Sequence, residues 1–213
     1  MIIGSTSTHE GVKKHAILVI STLVNAQNID PLLIERGFIL NLVNVLMPGN
    51  SGCNYAALVF FQLFLSSDEA KVIAVQSGVI KALVSLLKTC MSLSNSLPSF
   101  SQPYLENTVR ALGVLCKKTE FSDFRRDIIL GDGLEILTSM LKIPSGPTRL
   151  HIITSLKVLL SEPYPIIEKD RLSLEATIER LSEIISEDKT KTIELEIEYA
   201  QEVLVSFNSI QLV

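Results

Sequence analysis

The chain is 213 residues long, 47% hydrophobic, and carries a formal net charge of −4. That much apolar sequence is ample for a packed core and excludes global disorder, while the negative balance argues against a nucleic-acid backbone as partner, which needs a positive field. Cys53, Cys90 and Cys116 are widely spaced, with no CxxC or Cys/His metal spacing, so a reducing compartment is expected, the cytoplasm first, with the nucleus and the cytoskeleton beside it.

Met1-Ile2-Ile3-Gly4 lacks the basic region and apolar core of a signal peptide. Gly4 to Gly11 is polar, and Val12 to Val24 places Ala16, Val19, Ile20 and Leu23 at a helical period. Asn28-Ile29-Asp30-Pro31 offers a capping Asp with Pro at the first helical position. A short helix Pro31 to Glu35 then turns at Arg36-Gly37 into a second helix, Phe38 to Leu46. Pro48-Gly49-Asn50-Ser51-Gly52 breaks the chain before a long helix, Tyr55 to Leu65. The mean hydropathy of +0.37 raises the question of a membrane span. The most apolar run, Ala56 to Leu65, is ten residues and carries Gln62, too short to cross a bilayer, so no membrane insertion is expected and the run reads as a helix buried between neighbours. Ser66-Ser67-Asp68-Glu69 has the form of a capping box, with Glu69 three residues after Ser66.

Farther on, Leu105 to Lys117, Ser122 to Leu130, Leu134 to Lys142 and Arg149 to Leu160 read as helices, with breaks at Pro144-Ser145-Gly146-Pro147 and Glu162-Pro163-Tyr164-Pro165. Two more, Leu172 to Ser186 and Thr192 to Asn208, close the chain. Leu174, Ile178, Leu181, Ile185, Ile197, Val203, Leu204 and Phe207 form their apolar stripe against outer faces dense in Glu and Lys. From Glu162 to Glu202 twelve acids face five bases, a net of −7 that leaves +3 for the remainder. The segment 164–213 therefore reads as an acidic repeat that covers the last core face.

These elements recur. Gly37, Leu42, Val45 and Leu46 are matched 41 residues later by Gly78, Leu83, Leu86 and Leu87. Asp132, Leu137, Met140 and Leu141 answer after 54, and Ser173, Ile178 and Leu181 after a further 41. The step of 54 is 41 plus 13, and Met91 to Pro103 is a 13-residue stretch with five serines and two prolines that reads as a loop insertion, 91–103. Each unit is a short helix, a glycine turn, a second helix and a long third helix. Glycine suits that turn because a left-handed residue has no Cβ to clash. At Asp132 the flanking Gly131 and Gly133 suggest the same chemistry with a small shift in register. A period of about 40 residues in helical sequence means stacked repeats. The fold class is all-α, residues 1–213 forming a single solenoid of about four to five repeats, and Met1-Ile2-Ile3 leaves the first one incomplete. Ile17 and Leu18 are then expected to lie open and to support self-association.

On Gln76-Ser77-Gly78-Val79-Ile80-Lys81-Ala82-Leu83-Val84-Ser85-Leu86-Leu87 and on Glu35-Arg36-Gly37-Phe38-Ile39-Leu40-Asn41-Leu42-Val43, the chain resembles the armadillo-repeat family, with HEAT repeats as the near relative. The resemblance implies a right-handed superhelix whose third helices line a groove for an extended peptide or partner helix. Importin-like members place Trp and Asn on those helices. Alignment on Ala16, Ala56, Thr108, Ile152 and Ala200 puts Leu18, Leu58, Arg110, Thr154 and Glu202 at the Trp position and Thr22, Gln62, Val114, Val158 and Ser206 at the Asn position. The sequence has no Trp, so a nuclear-signal ladder is not expected and these ten residues mark a groove of different shape.

No catalytic, cofactor or metal site is expected. His9, His15 and His151 have no Cys or acid at a spacing suited to nucleophilic work, and His15 and His151 fall near the starts of third helices. Glu194, Glu196 and Glu198 alternate, which on a helix spreads them over a solvated face. No GxxxxGK, GxGxxG, HExxH or GxSxG occurs. The function expected is a non-catalytic scaffold or adaptor that binds another protein, as a peptide or partner helix in its concave groove, as part of a larger solenoid. The resemblance also supplies an alternative, a regulatory or chaperone-like domain acting on a folded client of the small GTPase, myosin or Hsp70 type. The insertion reads first as a disordered loop, the usual fate of Ser/Pro-rich stretches, with a phosphorylation-controlled contact of Leu97, Phe100 and the serines beside the groove as the sharper alternative.

Overall fold

The computed structural model describes residues 10–24, 33–48, 50, 52–94, 102–115, 117, 122–143, 146–161, 168–187 and 194–209. Among them there are eleven helices and no strand: α1 (Glu10–Val24), α2 (Arg36–Val45), α3 (Cys53–Ser66), α4 (Asp68–Gln76), α5 (Val79–Ser94), α6 (Gln102–Leu115), α7 (Ser122–Leu130), α8 (Gly133–Met140), α9 (Pro147–Leu159), α10 (Glu168–Ser186) and α11 (Glu194–Ser209). They form two compact units, Met1–Leu115 with α1 to α6 and Cys116–Val213 with α7 to α11. The expected caps at Asn28 to Pro31, the breaks at Pro144 and at Glu162 to Pro165, His9, Cys116, Leu97 and Phe100 lie outside the described residues. Of the stretch 91–103, its ends are helical, Met91 to Ser94 finishing α5 and Gln102 and Pro103 starting α6. No single described helix is long and apolar enough to cross a membrane.

In unit 1 the long third helices stack: α3 packs against α1 on one flank and α6 on the other, while α2, α4 and α5 pack together beside them. α3 is apolar on nearly every side because both flanks are covered. Ala56, Ala57, Val59, Phe60 and Leu63 are all fully buried, and the rings of Phe60 and Phe64 sit 5.4 Å apart. Unit 2 repeats the scheme with α9 against α11 and α8 against α10.

The turns show which parts of the repeat are local chemistry. Gly78 has φ +87°, a left-handed value that L residues rarely adopt, and α4 and α5 bend by 77° across it. In the next repeat Asp132 itself takes that conformation, at φ 70° and ψ 11°, so the expected shift in register does not occur. Gly133 is needed for a different reason: a Cβ there would lie 2.5 Å from Ile128 Cγ2 and 2.6 Å from the Ile128 carbonyl oxygen. Gly37 departs from expectation. It sits inside α2 without a positive φ and with open space around it.

Three further expectations are corrected. The cap of α4 is Ser67, whose hydroxyl accepts from the Ala70 N–H at 3.1 Å, while Ser66 ends α3 by donating to the Gln62 carbonyl. With Ala70 at the third position no reciprocal Glu contact forms. The 41-residue frame also slips in the last repeat. α10 runs unbroken through Ser173, so no turn resets its register; Ile178 is 39% exposed, and Leu174, Thr177, Leu181 and Ile184 make the buried stripe. Ile17, expected to lie open, is fully buried against the α3 layer, although Leu18 is 38% exposed.

Candidate partner-binding site

A third helix packed on both flanks and on its base keeps one face open, and residues four apart share a helical face. In unit 1 that face carries Lys14, Leu18 and Thr22 on α1, Asn54, Leu58 and Gln62 on α3, and Glu106, Arg110 and Val114 on α6, every one exposed or half-buried. In unit 2 it carries Leu150, Thr154 and Val158 on α9 and Glu198 and Glu202 on α11. Nine of the ten residues read from the sequence therefore sit on open third-helix faces. Ser206, the tenth, is in α11 beyond the residues whose side chains are described. The reasoning from sequence missed a third row, Lys14, Asn54, Glu106, Leu150 and Glu198. A four-residue step back from the first row finds it.

Two side-chain bridges tie the unit 1 rows together. The Asn107 side-chain amide of α6 donates to Asn54 Oδ1 of α3 at 2.9 Å. The Arg110 guanidinium lies 3.9 Å above the Phe61 ring and 3.6 Å from the Glu106 carboxylate. The ring contact seats the guanidinium on α3, and the side chain remains 29% exposed. In unit 2, Glu202 is paired with Lys157, which also stands 4.8 Å over the Tyr199 ring.

Below this open face unit 2 is held by buried ions. Arg149, at the start of α9, donates from Nε and Nη2 to Glu196 Oε2 at 3.0 and 2.7 Å and from Nη1 and Nη2 to Glu187 at 3.1 and 2.8 Å. The Gly146 N–H completes the Glu196 carboxylate at 2.9 Å. Glu196 is fully buried, so the solvated face expected for Glu194, Glu196 and Glu198 holds only for the first and last. Burial works against the charge of Arg149, but the hydrogen bonds and charges of Glu187 and Glu196 outweigh it and raise its pKa. Nearby the Thr138 and Thr177 hydroxyls meet at 2.5 Å, and Arg180 donates to the Leu141 carbonyl at 3.3 Å.

Chemistry beyond binding finds little to stand on. His15 is exposed and its Nδ1 contacts the Gly11 carbonyl at 2.7 Å, a local helix bond. Cys53 and Cys90 are buried free thiols with raised pKa values, Cys90 pushed up to about 11 by burial and then by the charge of Cys53. Among the described residues no three His, Cys, Asp or Glu side chains gather as a metal site requires. A cavity of about 320 Å³ opens between α8 and α10, lined by Thr138, Lys142, Glu179, Arg180 and Glu183 among others, and none of the ten expected residues borders it.

Several solved structures superpose on nearly the whole chain. A computationally designed armadillo repeat protein for modular peptide recognition matches 99% of this chain and 82% of its own, at 15% identity and a TM-score of 0.76. The fold is that of armadillo repeats. A designed armadillo protein in complex with the peptide (KR)4 shares the fold over 96% of this chain and 79% of its own, at 16% identity and TM-score 0.75. An engineered protein does so over 98% and 78%, at 19% and 0.73. No protein-family model and no curated protein matches the sequence. The armadillo arrangement accounts for one face of each third helix standing open, and α3, stacked between α1 and α6, is covered on its other sides.

Proposed function

We propose that the protein is a non-catalytic interaction module that holds another protein, as an extended peptide or a helix, against its third-helix faces. The observation that carries this reading is the repetition of one open i, i+4, i+8 face on successive third helices. Leu18, Leu58 and Val114 supply apolar contact there, and Thr22, Gln62 and Asn54 can meet peptide N–H and C=O groups. Such repeated rungs suit a chain whose own groups repeat along its length. The designed armadillo relatives, whose descriptions name peptide recognition and a bound peptide, support the same use. Arg110, held over the Phe61 ring and partly exposed, favours a partner that places a carboxylate over α6. The buried thiols suit a reducing setting, and the cytoplasm is the proposed location.

The test is a peptide array read by wild type, Arg110→Glu and Gln62→Ala. Acidic peptides are expected to bind wild type and to lose at least tenfold in affinity to Arg110→Glu, with a smaller loss for Gln62→Ala. Equal binding by all three proteins would remove the site from these faces. A second reading, self-association at the N-terminal repeat, is favoured by the open outer flank of α1.

A further inference from the structure

The two charge pairs between α9 and α11 are built differently. Arg149 and Glu196, with side chains 3% and 0% exposed, are sealed in and already hold the start of α9 to the start of α11. Lys157 and Glu202, at 39% and 43%, open to solvent. A pair that exposed contributes little to the stacking and gives way to a competitor. Lys157 also stands 4.8 Å over the Tyr199 ring, and Tyr199 and Glu202, three residues apart, share one side of α11. Ring and carboxylate thus make a seat whose chemistry is read from the ammonium now in it. Thr154 and Val158 share the Lys157 side of α9, which places the seat on the open third-helix face. Glu198, one turn before Glu202 and exposed, leaves that face negative even with Lys157 in place.

We propose that Lys157 is an internal stand-in for a ligand: the Tyr199–Glu202 seat takes a lysine or arginine side chain of the partner, and Lys157 keeps it closed until displaced. This rests on the reading that the partner lies on the third-helix faces, and it adds a cationic class at α9 and α11 to the carboxylate favoured by Arg110. Lysine suits the part. Its ammonium is a compact charge on a flexible stem that can swing away whole. A ligand meets a site only to the extent that the site is vacant, so occupation by a pair this exposed lowers apparent affinity about two- to fivefold. Deleting the lysine therefore strengthens the binding of a basic chain, the reverse of losing a contact residue.

Fluorescence anisotropy with labelled (Gly-Lys)4 and (Gly-Glu)4 peptides tests it. Lys157→Ala and Lys157→Gln are each expected to bind (Gly-Lys)4 about two- to fivefold more tightly than wild type, and Glu202→Gln to bind it more weakly by a similar factor. In the Glu202→Gln background Lys157→Ala is expected to change nothing further, because the carboxylate it would uncover is gone. Lys142→Ala removes the same charge from the end of α8 and is expected to have no effect. All three positions are exposed or half-buried, so circular dichroism should be unchanged. Equal tightening by Lys142→Ala, or tightening by Lys157→Ala that survives Glu202→Gln, assigns the effect to overall charge and overturns the seat. A Lys157→Ala protein that loses (Gly-Glu)4 and gains nothing for (Gly-Lys)4 makes Lys157 a direct contact and overturns the stand-in. Binding of (Gly-Glu)4 that depends on Arg110, with no (Gly-Lys)4 bound by any variant, overturns this inference alone. Binding of neither peptide by any variant overturns it together with the third-helix reading.

Discussion

In unit 1 the central third helix, α3, carries no charged residue at all and meets both neighbours through Ala56, Ala57, Val59, Phe60 and Leu63. In unit 2, α9 meets α11 through the pairs Arg149–Glu196 and Lys157–Glu202, and Glu187, just past the end of α10, joins the Arg149 guanidinium. The same stacking is thus reached once by shape and once by charge. Apolar packing tolerates exchanges that conserve volume. A buried ion set adds little net stability over an apolar one but is costly to leave incomplete, because a carboxylate stripped of its partner cannot recover its water.

The sharpest way to break this contrast is Arg149→Leu, which leaves Glu196 buried without its guanidinium. It is expected to cost about 3–5 kcal/mol, read as a lowered urea midpoint. A loss under about 1 kcal/mol would mean unit 2 relies on its aliphatic contacts as unit 1 does. In unit 1 a pH response is expected from Cys90, whose pKa is raised first by burial and then by the charge of Cys53. Because Cys90 titrates near 11 when folded against an ordinary 9.0, its contribution is complete below pH 9. It is lost as pH rises toward 11, since the unfolded thiol ionises first, and the loss approaches about 2–3 kcal/mol. Urea titrations at pH 8 and 10.5 should show that slope in wild type and a flatter one in Cys90→Ala.

The turns sharpen the comparison further. In unit 2 Gly133→Ala must push backbone away from Ile128 and is expected to cost about 2 kcal/mol, measurable as a lower thermal midpoint. In unit 1 Gly78→Ala meets no atom but is held at a left-handed φ, for about 1 kcal/mol. Gly37→Ala, in open helix, should instead stabilise by up to about 1 kcal/mol. If all three glycines gave equal losses, the two kinds of constraint would not be distinct.

Much of what could be read from the sequence was local, although the turn expected at Gly37 and the cap expected at Ser66, equally local, were not borne out. Gly78 and Asp132 mark turns because the backbone conformation is a property of one residue, and Ser122 to Leu130 has both its ends fixed by nearby residues. The slip of the frame in α10 was hidden because nothing in Ser173 itself reveals that the helix starts earlier and runs through. Glu196 misled more deeply. Its neighbours Glu194 and Glu198 are solvent-facing, and only Arg149, 47 residues away, explains why a carboxylate points inward. Two rows of the open face emerged from alignment on five anchor positions. The row of Lys14, Asn54 and Glu106 did not, because those residues share no residue type and are united only by the side of the helix they occupy.

Gly52 carries one last implication. Its missing methyl lets Ile17 Cδ1 and Val45 Cγ1 come within 3.2 Å of where a Cβ would stand, so this residue sets how closely α1 and α3 lie. The distance between those layers is also the pitch at which Leu18 and Leu58 are offered to a ligand. An extended chain has a fixed residue length of its own, so a spacer deep in the stack that no ligand touches acts as the ruler deciding which of its side chains fall into step.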